Sequence, residues 1–169
     1  MNLSPSFTNV RSFTSYQFSR LRMRAVWGAL LAKIGGKDWS PVTFPAEREY
    51  PNRKLIGLKT VHVSQIIGTL NRTSDFDRQF RPLGKHLLDR WVNTYISRDL
   101  DGWAPSLVHK IGEDYYVEDG HHRVSVARAI GMVFIEANVW EHSAYPPKMN
   151  GAQEKEYSRR CGVEAYPAG

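Results

Sequence analysis

The chain has 169 residues, 41% hydrophobic, 24% charged and 12% aromatic, with a formal net charge of +6. This is the composition of a folded protein of one domain's size, not of a disordered or collagen-like chain, and no apolar run approaches the roughly 20 residues of a membrane span. One cysteine, Cys161, makes neither an internal disulfide nor a cysteine-rich zinc site, which with the lack of a secretory signal points to cytoplasmic placement.

Residues 1–37 contain no acid, yet carry Arg11, Arg20, Arg22, Arg24, Lys33 and Lys37. Arg-rich, Ser-containing and acid-free is also how an organelle transit peptide reads. The spacing predicts an amphipathic helix over 16–34, with Phe18, Leu21, Ala25, Gly28, Ala29 and Ala32 on one face and Gly35-Gly36 as its stop. Two readings stand. The helix packs on the body with its basic face in water, or it is an electrostatic foot for DNA, an anionic membrane surface or an acidic protein partner. Pro41, Pro45 and Pro51 then mark an extended connector. Residues 1–57 are therefore read as basic helix and connector, 58–142 as the main domain, and 143–169 as an irregular tail with a short helix near 153–159.

In the main domain the period changes from two to 3.6 and back. Thr60 to Val63, followed by Ile66 and Ile67, read as a short strand entering a turn, and 71–79 as a polar loop or helix entry. Leu83, Leu87, Leu88, Trp91, Tyr95 and Ile96 recur at helical spacing and predict a helix over 79–97. Strands over 105–111 and 115–118 meet at a Gly112 turn. A helix over 121–130 stops at Gly131, and a β-branched strand covers 132–140. The fold class is α/β, a small mixed sheet of β-α-β-β-α-β order.

Asp119-Gly120-His121-His122-Arg123 lies between the second and third of these later elements, a strand and a helix. Gly120 permits a tight turn and close ligand approach. The helix start offers free N–H groups and a positive dipole end, while His121, His122 and Arg123 add donors suited to phosphate oxygens. Asp119 suits a divalent cation, a histidine to orient, or a helix cap. Metal plus phosphate reconciles one acid with three bases. The plainer reading keeps equal weight: a common turn and cap with surface or hydrogen-bonding histidines. A zinc site on His121 and His122 lacks further ligands at a familiar spacing, and His109 and His142 can contribute only through the fold.

The run from Tyr115 to Gly131 resembles the signature strand-turn-helix of the ParB/sulfiredoxin superfamily. Val61 to Ile66 resembles its opening strand, residues 71–81 its variable polar loop, 83–96 its following helix and Pro105 to Val108 its second strand, so the likeness spans roughly 58–142. The resemblance implies a nucleotide site, with CTP, ATP or ADP as ligand and usually Mg²⁺. It implies that Gly120, His121, His122 and Arg123 hold the phosphates and that Asp119 lies near the metal or the transferring phosphate. Arg72, Arg78 and Arg81 of the loop would close over them.

The departures narrow this. Sulfiredoxins carry a cysteine in the turn where this chain has His121. ParB proper continues into a helix-turn-helix and a dimerisation module, which do not follow residue 142 here. The turn resembles the free serine kinase branch more closely. A kinase needs a base, and Asp75 and Asp77 are the candidates, with Glu118 behind them. Those two aspartates read equally as a cap and first-turn acid. Three functions remain: a Mg²⁺-dependent phosphotransferase or nucleotide hydrolase, with Asp119 and His121 among its catalytic groups; a DNA-binding or nuclease-like protein; and a non-catalytic ligand-sensing or interaction module.

Overall fold

The apolar alternation of residues 134–139 builds a strand with one face in the core, where Ile135, Ala137 and Val139 are buried while Phe134 and Glu136 are not. The computed structural model describes residues 7–45, 52–100 and 102–143, with side chains from residue 9. The elements in chain order are α1 (Phe7–Ile34), β1 (Val42–Thr43), β2 (Asn52–His62), β3 (Ile66–Thr69), α2 (Leu88–Leu100), β4 (Ser106–Ile111), β5 (Asp114–Asp119), α3 (His121–Ala129) and β6 (Phe134–Ser143). They form a mixed α/β fold. The expected β-α-β-β-α-β order holds with the end of β2 as its first strand, and β3, where the sequence reads as a turn, and β1 are added to it. The predicted short helix near 153–159 and Cys161 lie outside the described residues.

The sheet has six strands in the order β1-β3-β5-β4-β6-β2. β1 runs parallel to β3, β3 to β5 and β4 to β6, while β4 is antiparallel to β5 and β2 to β6. β2 is far longer than the short strand predicted at 60–63, because its first half is an edge paired along β6 and needs no apolar alternation. A bulge interrupts it: Leu55 pairs with Trp140 and Gly57 with Val139, so Ile56 is the extra residue and packs against the core.

One core lies between the sheet and α3, built from Val61, Val63, Ile66, Val108, Val117, Val124, Ala127 and the buried side of β6. A second joins the helices: Phe18 of α1, Trp91 and Val92 of α2, and Val126 of α3, with Phe76 and Leu87. Trp91 Nε1 donates to Ser125 Oγ at 3.0 Å, fixing α2 on α3. α1 begins before the predicted residue 16, and its inner face is the predicted one, with Phe18, Ala25 and Ala32 buried.

α2 starts at Leu88, after a 3-10 turn at Lys85–Leu87, instead of near 79. The reason is a folded loop ahead of it. The buried Asp77 carboxylate accepts from Gln79 N (2.9 Å), Arg81 N (2.8 Å), Arg81 Nε (2.7 Å) and Trp39 Nε1 (3.1 Å). These bonds hold 77–81 in a non-helical shape, and Pro82 bridges back to Phe76. Trp39 in turn lies on Gly28 of α1, where an added Cβ would stand 2.5 Å from the indole.

Candidate anion site at the start of α3

β5 ends at Asp119 and α3 begins at His121, so Gly120 alone makes the turn, with a φ of 102°. That value favours glycine. Space demands it as well, since a Cβ there would collide with Ser106 Oγ and sit 2.8 Å from Ser106 Cβ. The N-cap residue is a glycine, and among the described residues no side-chain cap is made, which leaves the first N–H groups of the helix suited to an anionic partner.

The two histidines turn into an aromatic shell. Phe76 stacks on His121 at 6.0 Å and meets His122 edge-on at 5.3 Å, and Phe80 stacks on His121 at 6.4 Å. Phe80 is the one described non-glycine residue at positive φ, 57°. Such a backbone costs of order 1 kcal/mol and persists only where its surroundings enforce it. Here the Arg128 guanidinium lies 5.0 Å over the Phe80 ring and donates to the carbonyl of Ile66 at 2.6 Å.

Burial, and next the Arg72 charge, push His121 down to about 4. His122 is likewise held at about 4, by burial and then by Arg90 and Arg72. Both rings are neutral at neutral pH, so the positive charge of the site belongs to its arginines. His121 Nε2 lies 2.6 Å from Thr69 Oγ1. The His122 nitrogens are buried and have no hydrogen-bond partner among the described residues, although buried polar atoms are nearly always paired.

These groups line a cleft of about 80 Å³ with Arg72, Arg90, Thr94, Asp119, Gly120 and Arg123. Arg90 and Thr94, one helical turn apart on α2, carried no signal in the sequence beyond that spacing, because only the docking of α2 on α3 brings them here. Arg72 reaches the cleft while pairing with Asp75 at 2.9 Å. Arg123 is largely used within the fold: its Nη1 donates to the carbonyls of Ala104 and Pro105, and its Nη2 pairs with Asp119 Oδ2. On the far side of Arg123 lies an apolar hollow of about 240 Å³, with Trp103, Met132 and Ile135 in its wall and Arg98 and Glu136 at its edge.

The structure therefore brings Asp119, Gly120, His121, His122, Arg123 and Arg72 together. It does not bring Asp77, Asp75, Arg78 or Arg81 into the cleft lining. Asp77 organises the loop, as described above, and Asp75 pairs with Arg72 and lies 3.4 Å from His86 Nε2. Arg78 is exposed, with its backbone N–H donating to the carbonyl of Trp39 at 2.9 Å. Arg81 Nε pairs with Asp77 and its guanidinium lies 5.3 Å from the Trp39 ring, while its buried Nη2 has no hydrogen-bond partner among the described residues.

His109 and His142 do meet, at 2.7 Å, but on the other face of the sheet, and His109 also contacts Glu118 at 2.6 Å. With both His109 nitrogens engaged this is a chain and not a cage. Among the described residues no group of three or more His, Cys, Asp or Glu side chains is placed to hold a metal ion.

No protein-family model matches the chain, and no curated protein matches it. Among solved structures it is similar to sulfiredoxin from Arabidopsis thaliana, at 17% identity over 59% of this chain and 94% of that one, with a TM-score of 0.37.

Proposed function

We propose that this chain binds a nucleotide through its phosphates at the start of α3, and acts as a Mg²⁺-dependent phosphotransferase or nucleotide hydrolase of the ParB/sulfiredoxin kind. The observation that carries the reading is His122: a buried ring with neither nitrogen paired among the described residues, lining a cleft with Arg72, Arg90 and Arg123 at the start of α3. A neutral imidazole offers one N–H and one lone pair, and the arginines and helix N–H groups select an anion. The apolar hollow beyond Arg123 supports a ligand with a flat, hydrophobic part attached to that anion, as in a nucleotide.

Arg72 and Arg90 neutralise the phosphates, and the backbone N–H groups of α3 fix their orientation. Asp75 acts on the ligand only by placing the Arg72 guanidinium. Among the described residues Asp119 is the single carboxylate of the cleft lining, and with Oδ2 given to Arg123 its other oxygen is available. One carboxylate fits Mg²⁺ held mostly by phosphate oxygens and water, so Asp119 is the residue that would hold it. The ion, when bound, supplies charge neutralisation on the phosphates.

Calorimetric titration with ATP, ADP, CTP and GTP, each with and without Mg²⁺, tests this. Saturable binding of at least one nucleotide is expected, weakened about tenfold or more in Arg90→Ala, as loss of one charge-assisted contact implies. Failure of all four to bind, or binding indifferent to both Arg90→Ala and Arg72→Ala, overturns the assignment.

A further inference from the structure

α1 is apolar on two opposite faces, and among the described residues only one of them is packed against the body. Phe18, Ala25 and Ala32 are buried against the body. Met23, Trp27, Leu30 and Ile34 are exposed, at 60, 57, 47 and 76%. Their spacing of four, three and four residues draws one stripe along the helix, and at 3.6 residues per turn it stands about 170° from the buried face. A stripe of this kind on a water-facing helix marks an interaction surface.

The charges frame the stripe. On helical spacing Arg20 and Arg24 fall along one side of it, and Arg22 and Lys33 along the other. No acidic residue occurs anywhere in 1–37. Beside the stripe, between α1 and the start of α2, runs a groove of about 300 Å³ whose walls are Phe18, Met23, Val26, Trp27 and Leu88 and whose cations are Arg22 and Lys85. Apolar floor with positive rims is the complement of an anionic amphiphile.

We infer that α1 is a membrane-surface helix that lays Met23, Trp27, Leu30 and Ile34 into the headgroup boundary of an anionic bilayer. Arg20, Arg24 and Lys33 then meet lipid phosphates on either side. The helix, 28 residues and so about 42 Å long, lies in the plane of the surface. No helix among the described residues is long and apolar enough to cross a membrane. Docking leaves the body intact, because the face that holds α1 on α2 is the opposite one. Two other occupants fit less well. A nucleic acid backbone needs cations in the centre of its contact, where this helix has a tryptophan. A second copy would set one acid-free basic helix against another.

Flotation of the full chain with vesicles decides it. Co-migration is expected with phosphatidylcholine mixed with phosphatidylglycerol, not with phosphatidylcholine alone, and it falls as salt rises. The doubly substituted Trp27→Ser/Ile34→Ser chain, whose changed side chains touch little of the core, keeps its thermal midpoint and loses at least tenfold in vesicle partitioning. Arg20→Gln/Arg24→Gln weakens partitioning at low salt and changes it little at high salt. Failure of the wild-type chain to bind anionic vesicles overturns the inference. So does binding that the serine pair leaves unchanged, or light scattering that finds a dimer which the serine pair splits.

Discussion

Thr69 and His121, 52 residues apart in the chain, are joined by a contact of 2.6 Å between the threonine hydroxyl and ring Nε2. The hydroxyl oxygen also accepts from the backbone N–H groups of Asn71 (3.3 Å) and Arg72 (3.2 Å). Two N–H groups fill its two lone pairs. The hydroxyl proton faces two acceptors, His121 Nε2 at 2.6 Å and the Val117 carbonyl at 3.4 Å; given to the nearer one, it makes His121 the tautomer protonated at Nδ1.

Nitrogen-15 spectra of the imidazoles check that assignment directly: His121 should show its proton on Nδ1 at neutral pH. Thr69→Val removes the donor and leaves two loop N–H groups without their acceptor. A loss of about 1–3 kcal/mol in urea unfolding is expected, and a shift of that size absent from the variant would remove Thr69 from the account.

The two depressed histidines set the acid limb of stability. Each is held at about 4 in the folded chain against an ordinary 6.5, so between these values the unfolded chain binds more protons. Stability is then complete above about pH 6.5 and falls as pH drops towards 4. Urea midpoints measured across that window should decline, and the double variant His121→Gln/His122→Gln should flatten the decline.

Asp77 and Asp75 should part company under mutation. Asp77→Asn breaks a buried ion pair with Arg81 and disturbs the bond from Trp39, at an expected cost of about 3 kcal/mol. Asp75→Asn, at a half-exposed pair with Arg72, should cost well under 1 kcal/mol and register instead as weaker nucleotide binding. Equal stability losses would show that the loop is not organised around Asp77.

Gly120 carries two separable demands. Gly120→Ala meets both the positive φ and the Ser106 side chain, and a loss of about 2 kcal/mol or more is expected. Adding Ser106→Gly removes the clash and leaves the backbone strain, so the double variant should recover part of the loss in thermal unfolding. Full recovery would mean that φ costs nothing here.

Much of this was legible in the chain. Strands β4, β5 and β6 and helix α3 announce themselves because alternation, helical spacing and Gly112 and Gly131 all agree locally. The start of α2 is hidden in the sequence because Leu83 and Leu87 keep helical spacing across Gly84, while the bonds that forbid helix there converge on one carboxylate, Asp77, partly from Trp39 far upstream. β2 was shortened because an edge strand rich in Arg53, Lys54 and Lys59 has no apolar period to read. The turn from Gly120 to Arg123 was visible as a cluster of types. Arg90 and Thr94 were not, since their role depends on how two helices dock, and the neutrality of the histidines depends on Phe76 and Phe80 closing over them.

β2 has a further consequence. No described strand lies beyond it, so among the described residues β2 is an edge strand, with the exposed Leu55 and Leu58 along it. An edge of that kind invites strand addition by another molecule and, repeated, the growth of insoluble sheets. The extra residue at Ile56 breaks the regular register, and Arg53, Lys54 and Lys59 set like charges against any identical strand that approaches. The guard is half geometric and half electrostatic. Only the geometric half survives in concentrated salt, and concentrated salt is where this chain should be most prone to precipitate.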